Sequence, residues 1–158
     1  MPGLLGAALE LASLFGIAFV SGVFWVCNAE TTSAYYVAEL GWNPVTVAVV
    51  CTAGQATLYA LLFKGGGWLT LRWGWLGRLV VRIRASHGAR LEKRYLTTSV
   101  LAALVGVPPL AAMAALAEGF TVNIYRFLAV ATGVRFLRFL GFALAGAQLS
   151  AYWHSLWP

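Results

Sequence analysis

Long apolar runs, each broken by a short polar or turn-forming cluster, organise this chain. Residues 4–27 are apolar apart from Glu10 and long enough to span a bilayer, which takes about 20 residues. Small residues in that run, such as Gly6, Gly16 and Gly22, permit close helix packing. Residues 28–43, NAETTSAYYVAELGWN, are too short and polar for a span and too apolar and aromatic for a free loop. Such a segment predicts a re-entrant element, with non-helical backbone that survives at depth only when buried in protein or facing water. Asn43-Pro44 then opens a helix, with Asn as N-cap and Pro at its first position. Residues 45–63 form a full span. Thr52, Gln55 and Tyr59 fall at i, i+3 and i+7 on it as one polar stripe. Lys64 and the Gly65–Gly67 run predict its end.

Residues 68–95 read as an amphipathic interfacial helix, with Arg78, Arg82 and Arg84 set among Leu79, Val80, Val81 and Ile83. Residues 96–117 are apolar but carry Pro108-Pro109, which breaks a helix and predicts a second re-entrant hairpin. Residues 121–147 give a last span bearing Arg126, Arg135 and Arg138. The C-terminal AYWHSLWP reads as an aromatic interfacial anchor over residues 148–158.

Composition turns this pattern into a class. The 158 residues are 61% hydrophobic and 10% charged, against roughly 25% charged in soluble domains. The chain reads as an all-α integral membrane protein, one small bundle with no separate soluble domain. Of the 11 basic residues in a chain of net charge +6, all but Arg126, Arg135 and Arg138 lie between Lys64 and Arg94. The positive-inside rule puts that connector in the cytoplasm, in a multi-pass membrane protein. Anionic lipid headgroups account for these charges better than nucleic acid does. Cys27 and Cys51 sit in apolar runs as small hydrophobes. The N-terminal run lacks the basic region of a signal peptide, and Glu10 interrupts it. No metal-ligand spacing, nucleophile–base pair or paired catalytic carboxylates occur, and His87 and His154 lie outside the apolar core. No enzyme, metal or cofactor is expected.

Shifting the chain by 79 residues lays residues 37–63 over 116–142 without a gap. Ala38, Glu39, Gly54, Leu58, Leu61 and Phe63 then fall on Ala117, Glu118, Gly133, Leu137, Leu140 and Phe142. Each half reads as a hairpin followed by a span: repeat 1 over about 12–63, the connector over 64–95, repeat 2 over about 96–147. A hairpin returns to its own side and the span then crosses, so the second copy starts on the opposite side. The repeat is inverted, an architecture typical of transporters with a site at the midplane.

The same shift puts Glu30 on Pro109, so the tips of two opposed hairpins meet near mid-bilayer. A carboxylate at that depth costs several kcal/mol and is rarely accidental. Arg135 and Arg138 stand about 13 and 16 residues into the last span, roughly 20–24 Å deep and on one face. The expected site comprises Glu30, Arg135, Arg138, Gln55, Tyr59, Pro108 and Pro109. Glu39 and Glu118, at matching repeat positions, are expected to end the hairpins at the two membrane faces. Arg126 is expected to snorkel to headgroups.

The deep acid, GQATLY, the basic loop, the proline-containing hairpin and EGFTVNIYRFLAVATGVRFLRF together resemble the DedA/VTT-domain membrane proteins, closest to the short YqaA-like branch. The resemblance covers roughly residues 12–147. Arg126, Phe127, Gly133, Arg135, Arg138 and Phe139 carry its most specific part. It implies two facing re-entrant hairpins and movement of lipids between leaflets, with undecaprenyl phosphate or phospholipid as cargo and proton or sodium coupling. The first tip reads Asn28-Ala29-Glu30 where the family often has Pro-Gly-Glu or Pro-Gly-Asp. The second reads Pro108-Pro109-Leu110-Ala111 where the family often has Pro-Gly-x-Arg.

The expected function is a transporter or scramblase-like protein for a lipid or polyprenyl phosphate. Protonation of Glu30 would alternate with an anionic headgroup held by Arg135 and Arg138. The alternative is a non-transporting small subunit or assembly factor of a larger membrane complex. Expected partners are membrane lipids, with further copies of the chain or other membrane subunits. Glu30 with either arginine also reads as a static buried ion pair that fixes a hairpin, and the Thr52-Gln55-Tyr59 stripe as a packing interface.

Overall fold

The computed structural model describes residues 3–23, 28–72, 91–105, 110–117 and 122–156, with single positions 74, 78, 81, 82, 85 and 120; side chains are described at all of these except 67, 69–71, 91–93, 105 and 153–156. Among the described residues there are six helices and no strand: α1 Leu4–Ser21, α2 Ala29–Ala38, α3 Pro44–Arg72, α4 Leu91–Val105, α5 Leu110–Ala117 and α6 Ile124–Leu156. Three segments are long and apolar enough to cross a membrane: Leu4–Ser21, Pro44–Gly66 and Ile124–Tyr152. The all-helical, membrane-compatible class expected from composition is therefore seen.

Helix starts follow the sequence closely. Asn43 Oδ1 accepts from the backbone N–H of Val45 at 2.9 Å and Thr46 at 3.4 Å, capping α3 as expected. Asn123 does the same for α6, accepting from Tyr125 at 2.9 Å and Arg126 at 3.3 Å. Helix ends depart from expectation. The first apolar helix stops at Ser21, and residues 24–27, Cys27 among them, lie outside the described residues. Residues 29–38, expected to have non-helical backbone, form a helix because Asn28 caps them.

The Gly65–Gly67 run does not end α3, which continues to Arg72. A Cβ on Gly66 would lie 1.7 Å from the Ala115 carbonyl oxygen, so this glycine lets α5 approach the backbone of α3. Residues 64–72 thus belong to α3 and 91–95 to α4, rather than to a connector. Most of the expected interfacial helix lies outside the described residues, though Arg78, Val81 and Arg82 are helical and exposed. Residues 148–156 of the aromatic C-terminal stretch continue α6. Pro108 and Pro109, where a helix break is expected, lie outside the described residues.

The chain divides into two compact units. Unit 1 is Met1–Gln55 with Arg135–Pro158, and unit 2 is Ala56–Val134. The divisions, after Gln55 and after Val134, fall inside α3 and α6 at an offset equal to that of the sequence match.

In unit 1, α1 and α2 form an antiparallel hairpin. The Tyr36 hydroxyl on α2 lies 2.7 Å from Ser13 Oγ and donates to the Glu10 carbonyl at 3.2 Å. Trp42 Nε1, just past α2, donates to the Glu10 carboxylate at 2.7 Å. By residue 42 the chain is back beside Glu10. The tip beyond Ser21 is about 16 Å away along α1, or roughly half a bilayer core. The core beneath holds Leu14, Ala18, Val37, Val47, Cys51 and Phe139. A Cβ on Gly54 of α3 would meet the Phe15 carbonyl oxygen at 2.6 Å, so α1 and α3 touch backbone to backbone there. Gly16 of α1, by contrast, has open space around it.

Unit 2 is pinned by aromatic rings. Tyr95 of α4 stacks near Phe120 at 5.4 Å and Phe127 of α6 at 6.4 Å, and Phe63 of α3 lies 6.2 Å from Phe127. The Tyr95 hydroxyl donates to the Met113 carbonyl, joining α4 to α5.

Candidate functional site

Glu30 lies in the first turn of α2, where a negative charge is favoured by the helix dipole. Asn28 Oδ1 accepts from the Glu30 backbone N–H at 3.1 Å and from Thr31 at 3.4 Å, which fixes this turn. Also in unit 1, α6 presents Arg135 and Arg138, three residues apart and so on one face. Arg135 Nη1 donates to Glu30 Oε1 at 3.1 Å, and Arg138 Nε lies 3.0 Å from that same oxygen. One carboxylate oxygen therefore serves two guanidinium groups. The side chains are 13% exposed for Glu30, 12% for Arg135 and 25% for Arg138.

This cluster has one negative and two positive charges. The other charged residues in the sequence of unit 1 are Glu10 and Glu39. Glu10 is engaged by Trp42, and Glu39 is exposed at the end of α2. Within unit 1 one carboxylate thus faces two guanidinium groups. Arg135 Nε is buried without a hydrogen-bond partner among the described residues. Arg138 also lies against the Phe142 ring, its guanidinium carbon 6.0 Å from the centroid, at the outer limit of a cation–π contact. Such a cluster can hold an oxyanion, because a guanidinium offers several donors in a fixed fork.

The other expected site residues have contacts of their own or lie outside the described residues. Gln55 is buried, and its amide donates to Ser21 Oγ at 3.2 Å, so it ties α3 to the hairpin tip. Thr52 Oγ1 donates to the Ala48 carbonyl of its own helix at 2.7 Å, and Tyr59 is buried in unit 2. Thr52 and Gln55 thus make hydrogen bonds within unit 1, and Tyr59 packs within unit 2. Arg126 is exposed at the start of α6, in unit 2. Pro108, Pro109 and Glu118 lie outside the described residues. Among the described residues, no group of three or more His, Cys, Asp and Glu side chains could hold a metal ion.

A groove of ≈ 530 Å³ between α2 and α6 was not anticipated. Thr31, Tyr35 and Glu39 line it from α2 at i, i+4 and i+8. That spacing was present in the sequence, in a segment read as non-helical. No family model, curated protein or solved structure matches this chain.

Proposed function

We propose that this chain is a membrane transporter that moves an anionic lipid headgroup, of a phospholipid or a polyprenyl phosphate, between leaflets. The observation that carries this is the pair of arginines on one Glu30 oxygen, with a buried donor on Arg135 that has no hydrogen-bond partner among the described residues. Charged side chains at membrane depth cost about 2.5–3.5 kcal/mol or more and mark functional sites. A phosphate suits the guanidinium fork. Glu30 is the coupling group: on protonation it gives up its claim on the two arginines, and they become available to the headgroup.

The remaining parts fit an inverted repeat. The first hairpin returns to its own mouth at Glu10 and Trp42. The short helices α2 and α5 each precede a long Asn-capped helix. With the basic connector in the cytoplasm of a bacterial inner membrane, the second hairpin opens on the opposite side. In this reading the chain is a short member of the DedA/VTT-domain proteins and acts as a transporter rather than an enzyme.

The test is reconstitution in vesicles with a labelled lipid phosphate. Glu30→Gln and Arg135→Gln proteins that still fold are expected to move no lipid. Full movement by either variant sinks the reading. A second reading, a small structural subunit, draws on the exposed apolar side chains Leu137, Leu144 and Leu149 of α6. Co-purification with stoichiometric partner chains, and no lipid movement by the wild type, is the result that selects it.

A further inference from the structure

All the lysines and arginines except Arg135 and Arg138 fall in unit 2, against two acids there, Glu92 and Glu118. Three of these cations hold matching places. The buried rings of Phe63, Tyr95 and Phe127 meet from α3, α4 and α6, with Phe127 6.2 Å from Phe63 and 6.4 Å from Tyr95. Each ring has a basic neighbour in the chain: Lys64 follows Phe63, Arg94 precedes Tyr95 and Arg126 precedes Phe127. One residue is about 1.5 Å of helix rise and about 100° of turn. The three cations therefore stand at the level of the rings but turn away from them, and all three are exposed. The ring cluster thus gathers onto three helices positive charges from distant parts of the chain.

That level is the edge of the apolar spans. The span Pro44–Gly66 ends two residues past Lys64, and the span Ile124–Tyr152 begins two residues before Arg126. Exposed aromatic side chains mark it as well: Trp68 is 61% exposed and Tyr125 80%, as befits the boundary between hydrocarbon and headgroups. Trp68 is one turn beyond Lys64 on the same face of α3, and the Arg72 guanidinium lies 5.3 Å over its ring. Cations here reach lipid phosphates while keeping their heads in water. Placed on three helices around one ring cluster, they can meet one phosphate from several sides.

We propose that Lys64, Arg94 and Arg126 form a discrete seat for the phosphate of an anionic phospholipid at the bilayer surface, its tails remaining in the bilayer. The position at the span ends, beside exposed Trp68 and Tyr125, favours a lipid over free phosphate. The seat belongs to unit 2 and does not depend on lipid movement through unit 1.

The test titrates the purified full chain in dodecyl maltoside with fluorescent phosphatidylglycerol, and separately with phosphatidylcholine bearing the same label. Phosphatidylglycerol is expected to bind once per chain and more tightly than phosphatidylcholine. Arg94→Gln is expected to weaken its binding about fivefold, and Lys64→Gln with Arg126→Gln about thirtyfold. Lys64→Arg with Arg126→Lys keeps the charges and should keep the binding. Arg78→Gln with Arg82→Gln removes as much charge from other exposed helical positions and should leave binding nearly unchanged. Equal losses from the two paired glutamine variants reduce the seat to diffuse attraction and overturn it. Equal binding of the two lipids, or displacement of the label by inorganic phosphate at the same concentration, overturns it too.

Discussion

Arg135 Nη1 donates to Glu30 Oε1 at 3.1 Å, joining residues 105 positions apart in the chain. The bond fastens the start of the short helix α2 to the long helix α6. Arg138 Nε reaches the same oxygen at 3.0 Å, so removal of the carboxylate takes a shared acceptor from two cations at once. Apolar burial does little to hold helices together in lipid, because the tails are as apolar as the side chains. Polar contacts of this kind and close backbone packing take its place.

Glu30→Gln keeps the shape and an acceptor oxygen and is expected to cost about 1–2 kcal/mol of stability. Glu30→Leu leaves both guanidinium groups without their acceptor and is expected to cost about 3–5 kcal/mol. Thermal unfolding in detergent micelles checks the order. A Glu30→Leu protein as stable as the wild type means that the cluster does not hold α2 to α6.

Gly65 and Gly66 are neighbours with opposite expectations. Gly66→Ala drives a methyl into the Ala115 backbone and is expected to destabilise by about 1–3 kcal/mol. Gly65 has open space around it, so Gly65→Ala is expected to be neutral or to stabilise α3 by up to about 1 kcal/mol. Parallel melting curves of the two variants suffice. Equal effects would return the glycine run to a turn.

Trp42→Phe removes the donor to the Glu10 carboxylate and is expected to cost about 1–3 kcal/mol. The hairpin mouth should loosen, so amide exchange over residues 36–42 should speed up before that of the α3 core around Val47. Unchanged exchange there argues against Glu10 and Trp42 as the clasp.

Asn43→Ala and Asn123→Ala each remove a cap that accepts two backbone N–H groups. Each is expected to cost about 1 kcal/mol, and Asn43→Asp is expected to restore most of the loss at that helix. Melting temperatures of the three variants test this. An Asp variant no better than Ala points away from capping.

Local chemistry was legible in the residues alone. Low charge content and long apolar runs identified a membrane-type helical protein. Asn43-Pro44 marked the start of α3, because a cap and its first turn are neighbours in the chain. Arg135 and Arg138 were assigned one face because helical periodicity is local. Glu30 stood out because a carboxylate is costly in an apolar run. Residues 29–38 misled for a local reason as well: their polar and aromatic mix hides the cap at Asn28.

What the sequence determined by itself was the class of the protein, the start of α3 and the identity of its costly charges. Only the tertiary structure decided what those features meet. The Gly65–Gly67 run reads as a stop until Ala115 of α5 is found against Gly66. The Gln55 amide is found on Ser21, a partner 34 positions away. The joint claim of Arg135 and Arg138 on a single oxygen of Glu30 is equally non-local. The physical reason is the same in each case. Periodicity and capping depend on residues a few positions apart, whereas close backbone approach and charge pairing depend on partners that only the folded chain brings within a few ångströms.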